Sequence, residues 1–359
     1  MRKSLIIILL ALSALLVAAE AWVDYFPMPE GEFNPKKYIC YRATVPPVID
    51  GRVEDDIWQK TDWSDKFVDI EGDLKPLPFH DTQVKMLWDD HFLYFAAKLY
   101  ETDVWAKLLK RDSVIFYDND FEIFIDPDGD THNYYEFEMN AYNTVWDLLL
   151  TAPYRDAENK AVDSWDIQKL MSAVHVNGTI NNPEDTDNFW SLEVAIPWQV
   201  LEECANRRPE DGDQWRVNFS RVQWDTEIVD YNYKKLEKPE HNWVWSPQGI
   251  INMHYPENWG FVQFSENQVG EKQVKFKWNK DEDAKMYLRQ IYYQQRDYNL
   301  KHGIFTADLQ QLALPEFALD NYQPAKLYVN PHGFYAILKS TDNTKEITID
   351  QTGRTRIIK

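Results

Sequence analysis

The chain has 359 residues, of which 44% are hydrophobic and 15% aromatic, with 15 Trp and 20 Tyr. This length suggests two domains, and the apolar content is sufficient for sizeable cores. The formal net charge of −21 at pH 7 repels nucleic acid and anionic membrane surfaces, which excludes both as partners. The many aromatic side chains either fill an aromatic-rich core or supply flat surfaces for stacking on sugar rings, and for any single Trp the two explanations are equally good.

The first 21 residues have the pattern of a secretory signal. Arg2 and Lys3 precede an apolar run at residues 5–17, which is shorter than the roughly 20 residues that span a bilayer. Ala19-Glu20-Ala21 fits a small-x-small cleavage site. We therefore expect a signal peptide at 1–21, no membrane insertion after its cleavage, and a periplasmic or extracellular protein. An uncleaved anchor is the alternative.

The chain contains two cysteines, Cys40 and Cys204. In an oxidising compartment they either pair or remain buried thiols, and the sequence does not decide between these outcomes.

Residues 22–37 are Pro-rich and irregular, and they predict a leader. From 38 to 266 many short strands alternate with turn signals, which predicts an antiparallel β-sandwich of jelly-roll type. Within this range Asn177-Gly178 is a strong two-residue hairpin signal, so we expect the strands on either side of it to pair with each other.

The strand around which this domain is organised is expected at residues 120–126. Phe121, Ile123 and Ile125 alternate with Glu122 and Phe124, which is the period of a strand with two different faces. Because a carboxylate in such a strand is costly unless something pairs with it, Glu122 indicates a ligand, a metal or a structural partner.

This stretch resembles the central strand of the family 9 carbohydrate-binding modules. Other short motifs of that family stand in a compatible order: Pro47-Val48-Ile49-Asp50-Gly51 before Trp58, Leu87-Trp88-Asp89-Asp90 before Leu93-Tyr94, Glu193-Val194-Ala195-Ile196-Pro197-Trp198, and Trp259-Gly260. The order and co-occurrence of these motifs are specific, although each alone is weak. The resemblance implies the same sandwich fold, with a polysaccharide or oligosaccharide as partner.

The resemblance also implies a site, since these modules hold a terminal sugar between two aromatic residues and hydrogen-bond its hydroxyls. Glu122 and Asn140 match sugar-contacting residues of the family, and Phe116 falls where the first stacking Trp stands. The binding arginine falls on Glu138, and the second Trp falls near Met253 and His254, so the usual sandwich of two Trp is incomplete. Candidate substitutes for the missing stacking platform are Trp146, Trp224, Trp243 and Trp245. The candidate substitute for the missing donor is Arg221.

Each of these assignments has a structural alternative. In these alternatives Glu122 would pair with Arg221 or another base inside the sandwich, and Asn140 would satisfy a turn. Met253 would fill a core, and His254 would form a hydrogen bond within a loop.

Asp126, Asp128 and Asp130 alternate around Gly129, and hard oxygen ligands at this spacing suit a structural calcium ion. An ordinary Pro-Asp-Gly turn with solvated carboxylates explains the pattern better, since no bidentate Glu follows.

We expect a non-catalytic binding protein with no catalytic residues. One alternative is a glycoside hydrolase or an accessory component of one, with Glu122 and Glu138 as the paired carboxylates. A second alternative is a haem-binding redox sandwich, which needs Met and His ligands on the two faces of one iron, whereas Met253 and His254 are adjacent.

The composition changes after the sandwich. Residues 267–280 predict a linker, and 281–359 predict a small α+β domain with a long helix and an antiparallel meander. Ala284, Leu288, Ile291, Tyr292 and Gln295 recur at helical spacing, and Gly303 is suited to end the helix. This domain is a candidate for contact with a protein partner.

Overall fold

The computed structural model describes residues 25–156, 160–205, 207–317 and 319–359. The predicted signal, residues 1–21, lies outside the described residues. The chain separates into two compact units. The larger comprises Pro29–Glu282 with Thr352–Arg356, and the smaller comprises Asp283–Gln351 and Ile357–Lys359 together with the described residues up to Met28.

The described residues contain strands in both units and three α-helices. The strands are β1 Lys37–Arg42, β2 Val68–Asp69, β3 Thr82–Trp88, β4 Phe92–Tyr100, β5 Asp120–Asp126, β6 Tyr134–Asn140, β7 Val145–Leu150, β8 Ala161–Val162, β9 Met171–Asn177, β10 Phe189–Pro197, β11 Gln214–Gln223, β12 Thr226–Val229, β13 Asn232–Lys235, β14 His241–Val244, β15 Gly260–Gln268, β16 Lys326–Asn330, β17 Gly333–Lys339, β18 Glu346–Asp350 and β19 Thr355–Ile358. The helices are α1 Asp56–Gln59, α2 Trp198–Ala205 and α3 Asp281–His302.

The larger unit is a β-sandwich made from a continuous hydrogen-bonded path of strands. The order is β8-β7-β6-β5-β11-β15-β1-β3-β4-β10-β9, and β14 pairs with both β11 and β2. The pairs are antiparallel except around β1, which runs parallel to β15 and to β3. The predicted mainly-β sandwich followed by a small α+β domain is therefore confirmed, with parallel pairing at one strand.

The two halves of this path face each other across a common core. Phe121, Ile123 and Ile125 of β5 point into it, as their alternation predicts. The ring of Phe219 on β11 lies 5.8 Å from Phe95 on β4 and 5.9 Å from Phe121, measured between centroids, so the two layers are in direct contact. Glu122 and Phe124 consequently project from the opposite, outer face of β5.

A buried glutamate ties the first family motif to the sheet. The carboxylate of Glu193 on β10 accepts hydrogen bonds from the backbone N–H groups of Asp50 and Gly51, at 2.9 and 2.6 Å, and from Trp58 Nε1 at 2.6 Å. Gly51 has φ of +83°, and a Cβ there would meet the backbone of Val174. The residues of this motif thus provide the space and the hydrogen bonds that allow the Asp50-Gly51 turn to lie close against β9 and β10.

The strands on either side of Asn177-Gly178 pair with each other as expected, but the two-residue turn between them is not formed. β9 pairs with β10, beginning with Asn177 opposite Phe189, so the connection is a longer loop. The carboxylate of Asp187 closes this loop, since it accepts from the backbone N–H groups of Thr179 and Val104, both at 2.7 Å. A side chain distant from the dipeptide therefore decides the turn.

The smaller unit contains α3 and a four-stranded sheet in the order β16-β17-β18-β19. The five helical positions expected to form an apolar face, Ala284, Leu288, Ile291, Tyr292 and Gln295, are all fully buried. Gly303, with φ of +72°, follows directly after the helix.

Two properties of the chain concern its compartment. Cys40 is buried, Cys204 is half-buried, and both are free thiols in this structure. Among the described residues, none of the helices combines the length and the apolar character needed to cross a bilayer.

Candidate functional site

A cleft of about 260 Å³ opens on the outer face of the sandwich, where β5, β6 and β7 lie side by side. Its lining residues come from these strands, from β11 and β14, and from the loops above them. They are Ile70, Phe116, Glu122, Phe124, Glu136, Glu138, Trp146, Leu148, Tyr154, Val222, Glu240, Asn242, Ile251, Asn252, Met253 and His254.

Strand register arranges the floor of the cleft in two rows. In the first row Glu122 stands opposite Glu138, which stands opposite Trp146. In the second row Phe124 stands opposite Glu136, which stands opposite Leu148. Because side chains alternate between faces along a strand, all six project to the same side, and the core residues between them project to the other. The floor therefore mixes acidic groups with apolar and aromatic surface.

Loops add the walls. Phe116 belongs to a short 3₁₀ turn, Ile115–Tyr117, and its backbone N–H donates to Glu138 Oε2 at 3.1 Å, which fixes the turn above the floor. His254 shares a hydrogen bond with Tyr134 Oη through Nδ1 at 2.9 Å, and its ring lies edge-on to Tyr154 with centroids 4.5 Å apart. Met253, 8% exposed, forms part of the same wall.

The glutamates of the floor are almost fully buried, with exposures of 5% for Glu122, 5% for Glu136 and 2% for Glu138. Loss of solvation raises the pKa of Glu122 to about 7. Burial, reinforced by repulsion from Glu122, raises the pKa of both Glu136 and Glu138 well above the ordinary glutamate value. Asp120, on the same face of β5, has its pKa raised well above the usual range by burial and by Glu122. These carboxyls hold protons far more readily than exposed ones.

His254 does not supply a positive charge to the cleft. Burial, together with the nearby guanidinium of Arg155, lowers the pKa of its imidazole to about 3, so the ring is neutral at physiological pH. It can act there as a hydrogen-bonding group.

The structure brings together five of the residues expected in the site: Phe116, Glu122, Trp146, Met253 and His254. Asn140 lies elsewhere and is fully buried. Its Nδ2 donates to Leu108 O at 2.8 Å, and its Oδ1 accepts from the backbone N–H groups of Tyr142 and Thr144, both at 3.0 Å. This geometry corresponds to the alternative of a turn-satisfying amide.

Arg221 also lies away from the cleft, because it projects from the opposite face of β11 to Ser220, the residue paired with Glu122. It is fully buried, its Nη2 lies 3.3 Å from Glu101 Oε2, and its Nη1 donates to Thr82 Oγ1 at 3.0 Å. The sequence placed this arginine beside the cleft or in a pair with Glu122, whereas its carboxylate partner is Glu101.

Of the other tryptophans suggested as platforms, Trp243 is 2% exposed and Trp245 is fully buried, so both fill the core. Trp224 is half-buried, and its Nε1 donates to Phe116 O at 2.9 Å, which supports the wall from behind.

Sequence reasoning missed Glu136 and Tyr154. Glu136 lies two residues before Glu138 and therefore on the same face of β6, a relation that strand alternation alone would have revealed. Tyr154 sits on a 3₁₀ turn, Tyr154–Asp156, whose position above the cleft depends on the tertiary fold.

The three aspartates proposed for calcium do come together, with carboxylate oxygens within 4.8 Å of one another. Their oxygens already accept local hydrogen bonds. Asp126 accepts from Gly129 N at 3.0 Å and Thr131 N at 2.9 Å, and Asp130 Oδ2 accepts from Nε of Arg354, in the same unit, at 2.6 Å. These contacts favour a self-sufficient turn, with the arginine in the place a cation would take.

A β-sandwich with an aromatic and acidic cleft on the outer face of one sheet has the architecture of a ligand-binding module. A family model described as carbohydrate family 9 binding domain-like matches residues 49–266, and the chain belongs to this family. The resemblance predicted from the sequence motifs is confirmed, and the chain carries a carbohydrate-binding domain.

Two proteins are similar in sequence to part of this chain. It is 29% identical over 156 residues to an exoglucanase, XynX, from Acetivibrio thermocellus and 30% identical over 156 residues to endo-1,4-beta-xylanase A from Thermoanaerobacterium saccharolyticum. Each match covers 43% of this chain but only 12% and 11% of those proteins, so the chain spans about a tenth of their length.

A family 9 carbohydrate-binding module from Caldicellulosiruptor kristjanssonii, solved with cellotriose, is 17% identical, with 67% of this chain and 100% of that one covered and a TM-score of 0.43.

Proposed function

We propose that this protein is an exported, non-catalytic carbohydrate-binding protein whose cleft holds one sugar unit of an oligosaccharide or polysaccharide. The observation that carries this proposal is the floor itself, where Glu122 and Glu138 stand in register with Trp146. A ring platform beside buried hydrogen-bonding groups suits a sugar, which has an apolar face and hydroxyls around its edge.

The size of the cleft supports a single unit. Its volume of about 260 Å³ lies just below the ~300–1,000 Å³ typical of sites for drug-sized ligands. Phe116 and Trp146 are half-buried and retain open ring surface, and the 43% exposed Tyr154 stands at the rim. The rest of a chain would extend into solvent past this rim.

The electrostatics favour binding over hydrolysis. A glycosidase needs one carboxylic acid and one ionised carboxylate, so its two groups must have pKa values pushed apart. Here burial raises the pKa of both Glu122 and Glu138, and the described lining holds no Lys or Arg that would keep one of them ionised beside the other. We therefore expect no release of reducing sugar from any polysaccharide that the protein retains.

Affinity electrophoresis through gels containing plant, algal or microbial polysaccharides tests the proposal. We expect retardation by at least one polysaccharide, and we expect Trp146→Ala to abolish it. Trp63→Ala is the matched control, since Trp63 is 36% exposed but lies outside the cleft. Absence of retardation in every gel, or equal loss in both variants, would contradict the proposal.

Export and a protein partner complete the proposal. The signal-like residues 1–21 support export, which fractionation of cells expressing the full chain would test. The smaller unit, with its own helix and sheet, is the part of the chain that we propose for contact with a partner.

A further inference from the structure

The floor of the cleft has an unusual charge balance. Its lining includes Glu122, Glu136, Glu138 and, at the rim, Glu240, whereas none of the lining residues, all in the described part of the chain, is Lys or Arg. His254 is neutral for the reason given above. The described lining of the cleft therefore offers acceptors and potential negative charge without a lysine or arginine, while Arg155, outside this lining, donates to His254 O and pairs with Glu257.

The carboxyls are crowded as well as numerous. Glu122 and Glu138 are directly opposed across two strands, a position where like charges destabilise a sheet. One carboxylate oxygen from each of these two and from Asp120 lies within 4.8 Å of the others. Asp120 Oδ1 accepts from the backbone N–H of Val222 at 3.1 Å and Glu138 Oε2 from that of Phe116 at 3.1 Å, so part of this crowding serves the scaffold.

A second observation points to something that binds from outside. Glu136 is 5% exposed, it lines the cleft, and its carboxyl shares a hydrogen bond with that of Glu138. Its Oε2 receives no N–H or O–H donor in the described structure. A buried acceptor left unsatisfied is destabilising, and a donor on a ligand would remove that cost. Glu138, by contrast, already accepts from the backbone of Phe116 through Oε2.

Aromatic rings surround the same carboxyls. Trp146 is the cross-strand neighbour of Glu138, Phe124 is that of Glu136, and Phe116 stands above Glu138. The faces of aromatic rings attract cations, and an aromatic wall beside carboxylates is suited to an ammonium group.

We propose that the ligand of this cleft is an amino sugar with a free, protonated amino group, whose ammonium is held between Glu122, Glu136 and Glu138 while its ring rests on Trp146. This inference rests on the proposed function, because it names the class of sugar that the same cleft takes. An ammonium donates up to three hydrogen bonds and has no acceptor, which matches a floor made of acceptors.

The protonation state of the floor supports this assignment. The raised pKa values of Glu122, Glu136 and Glu138 mean that the empty cleft retains protons near neutral pH. An ammonium favours the ionised carboxylates, so its binding releases protons. Affinity for an amino sugar should therefore rise as the pH approaches about 7, the pKa of Glu122, while burial also raises the pKa values of the neighbouring carboxyls of Asp120, Glu136 and Glu138 and His254 stays neutral.

Isothermal titration calorimetry on the full chain tests the proposal. The ligands are three matched sugars, glucosamine, N-acetylglucosamine and glucose, together with the β-1,4-linked oligomers of each. The buffer contains EDTA at pH 6.5, where aliphatic amines with pKa values of about 8–10 are charged. We expect the free amine to bind at least 10-fold tighter than either neutral sugar, and we expect proton release that is detected as a dependence on buffer ionisation enthalpy. Charge-assisted hydrogen bonds of about 1.5–3 kcal/mol correspond to roughly 10–100-fold.

Glu136→Gln should reduce the preference for the amine over glucose about 10-fold, and Glu227→Gln, at an exposed position outside the cleft, serves as the control. The comparison of sugars on the unaltered protein does not depend on either variant folding. Equal affinity for all three sugars, or tighter binding of the neutral ones, would overturn the amino-sugar assignment and leave carbohydrate binding intact. Binding of no sugar or polysaccharide would overturn both. If sugar binding requires calcium and EDTA abolishes it, the carboxylates hold a metal and the ammonium assignment is wrong.

Discussion

The cleft glutamates should lower the stability of the free protein at neutral pH, and Glu122 allows the effect to be worked out. Burial raises its pKa from 4.5 to about 7 in the folded chain. In the unfolded chain the group ionises near its ordinary value, so above that pH the unfolded state loses a proton that the folded state keeps. The folded state is therefore penalised as pH rises from about 4.5 to about 7.

The size of this penalty follows from the two pKa values. Their difference of about 2.5, at about 1.36 kcal/mol for each pKa unit, gives on the order of 3 kcal/mol for this 95% buried carboxyl. Glu122→Gln removes the titration and nearly preserves shape. The variant should match the unaltered protein at pH 4 and exceed its free energy of unfolding by on the order of 3 kcal/mol at pH 8.

Urea unfolding of both proteins at pH steps from 4 to 8 measures this difference. The comparison between two proteins cancels the repulsion due to the overall charge of −21, which changes with pH in both. Burial also raises the pKa values of Asp120, Glu136 and Glu138, so the variant retains part of the slope. Parallel stability curves for Glu122→Gln and the unaltered protein would refute the reasoning, because they would mean that the folded chain ionises Glu122 without penalty.

Other predictions concern the scaffold. Glu193→Ala leaves two backbone N–H groups and one indole N–H without an acceptor. Urea unfolding should therefore show a free energy of unfolding lower by about 3 kcal/mol or more, with Glu193→Gln between the alanine variant and the unaltered protein. A decrease below about 1 kcal/mol would contradict this. Gly260→Ala places its Cβ against the ring of Trp245, and thermal unfolding should show destabilisation of about 1–3 kcal/mol, whereas an unchanged midpoint would mean that the ring yields freely. Because Arg354 Nε already donates to the carboxylate of Asp130, neither calcium nor EDTA should shift the midpoint of thermal unfolding. A higher midpoint with calcium would show that the ion displaces the arginine.

A carboxylate in mid-strand leads from the sequence to the candidate cleft, because period-two alternation fixes the face on which it lies. The same rule places Glu136 and Glu138 on that face once β6 is recognised. The same rule places Arg221 on the face of β11 opposite to Ser220, but it was not applied to Arg221 in the prediction from the sequence. Local rules thus suffice for the direction of a side chain, provided that the strand and its register are known.

Local rules fail where a distant residue competes for the backbone. Asn177-Gly178 is a strong hairpin signal, yet the carboxylate of Asp187 holds the neighbouring N–H of Thr179 and the chain continues into a longer loop. Asn140 matched a sugar-binding position by order in the sequence, but its Nδ2 donates to Leu108 O and Asp118 Oδ2 while its Oδ1 accepts from the adjoining turn.

The sequence by itself determined the class of fold, the family, the buried face of α3 and the acidic strand at the centre of the sandwich. These follow from periodicity and from short motifs, in which each residue acts on its immediate neighbours. Only the tertiary structure decided which acidic and aromatic groups share one cleft and that its described lining contains no arginine. Those facts depend on strand order and on loops brought together from distant parts of the chain, and desolvation, which sets the charge of the cleft, exists only once these parts have packed.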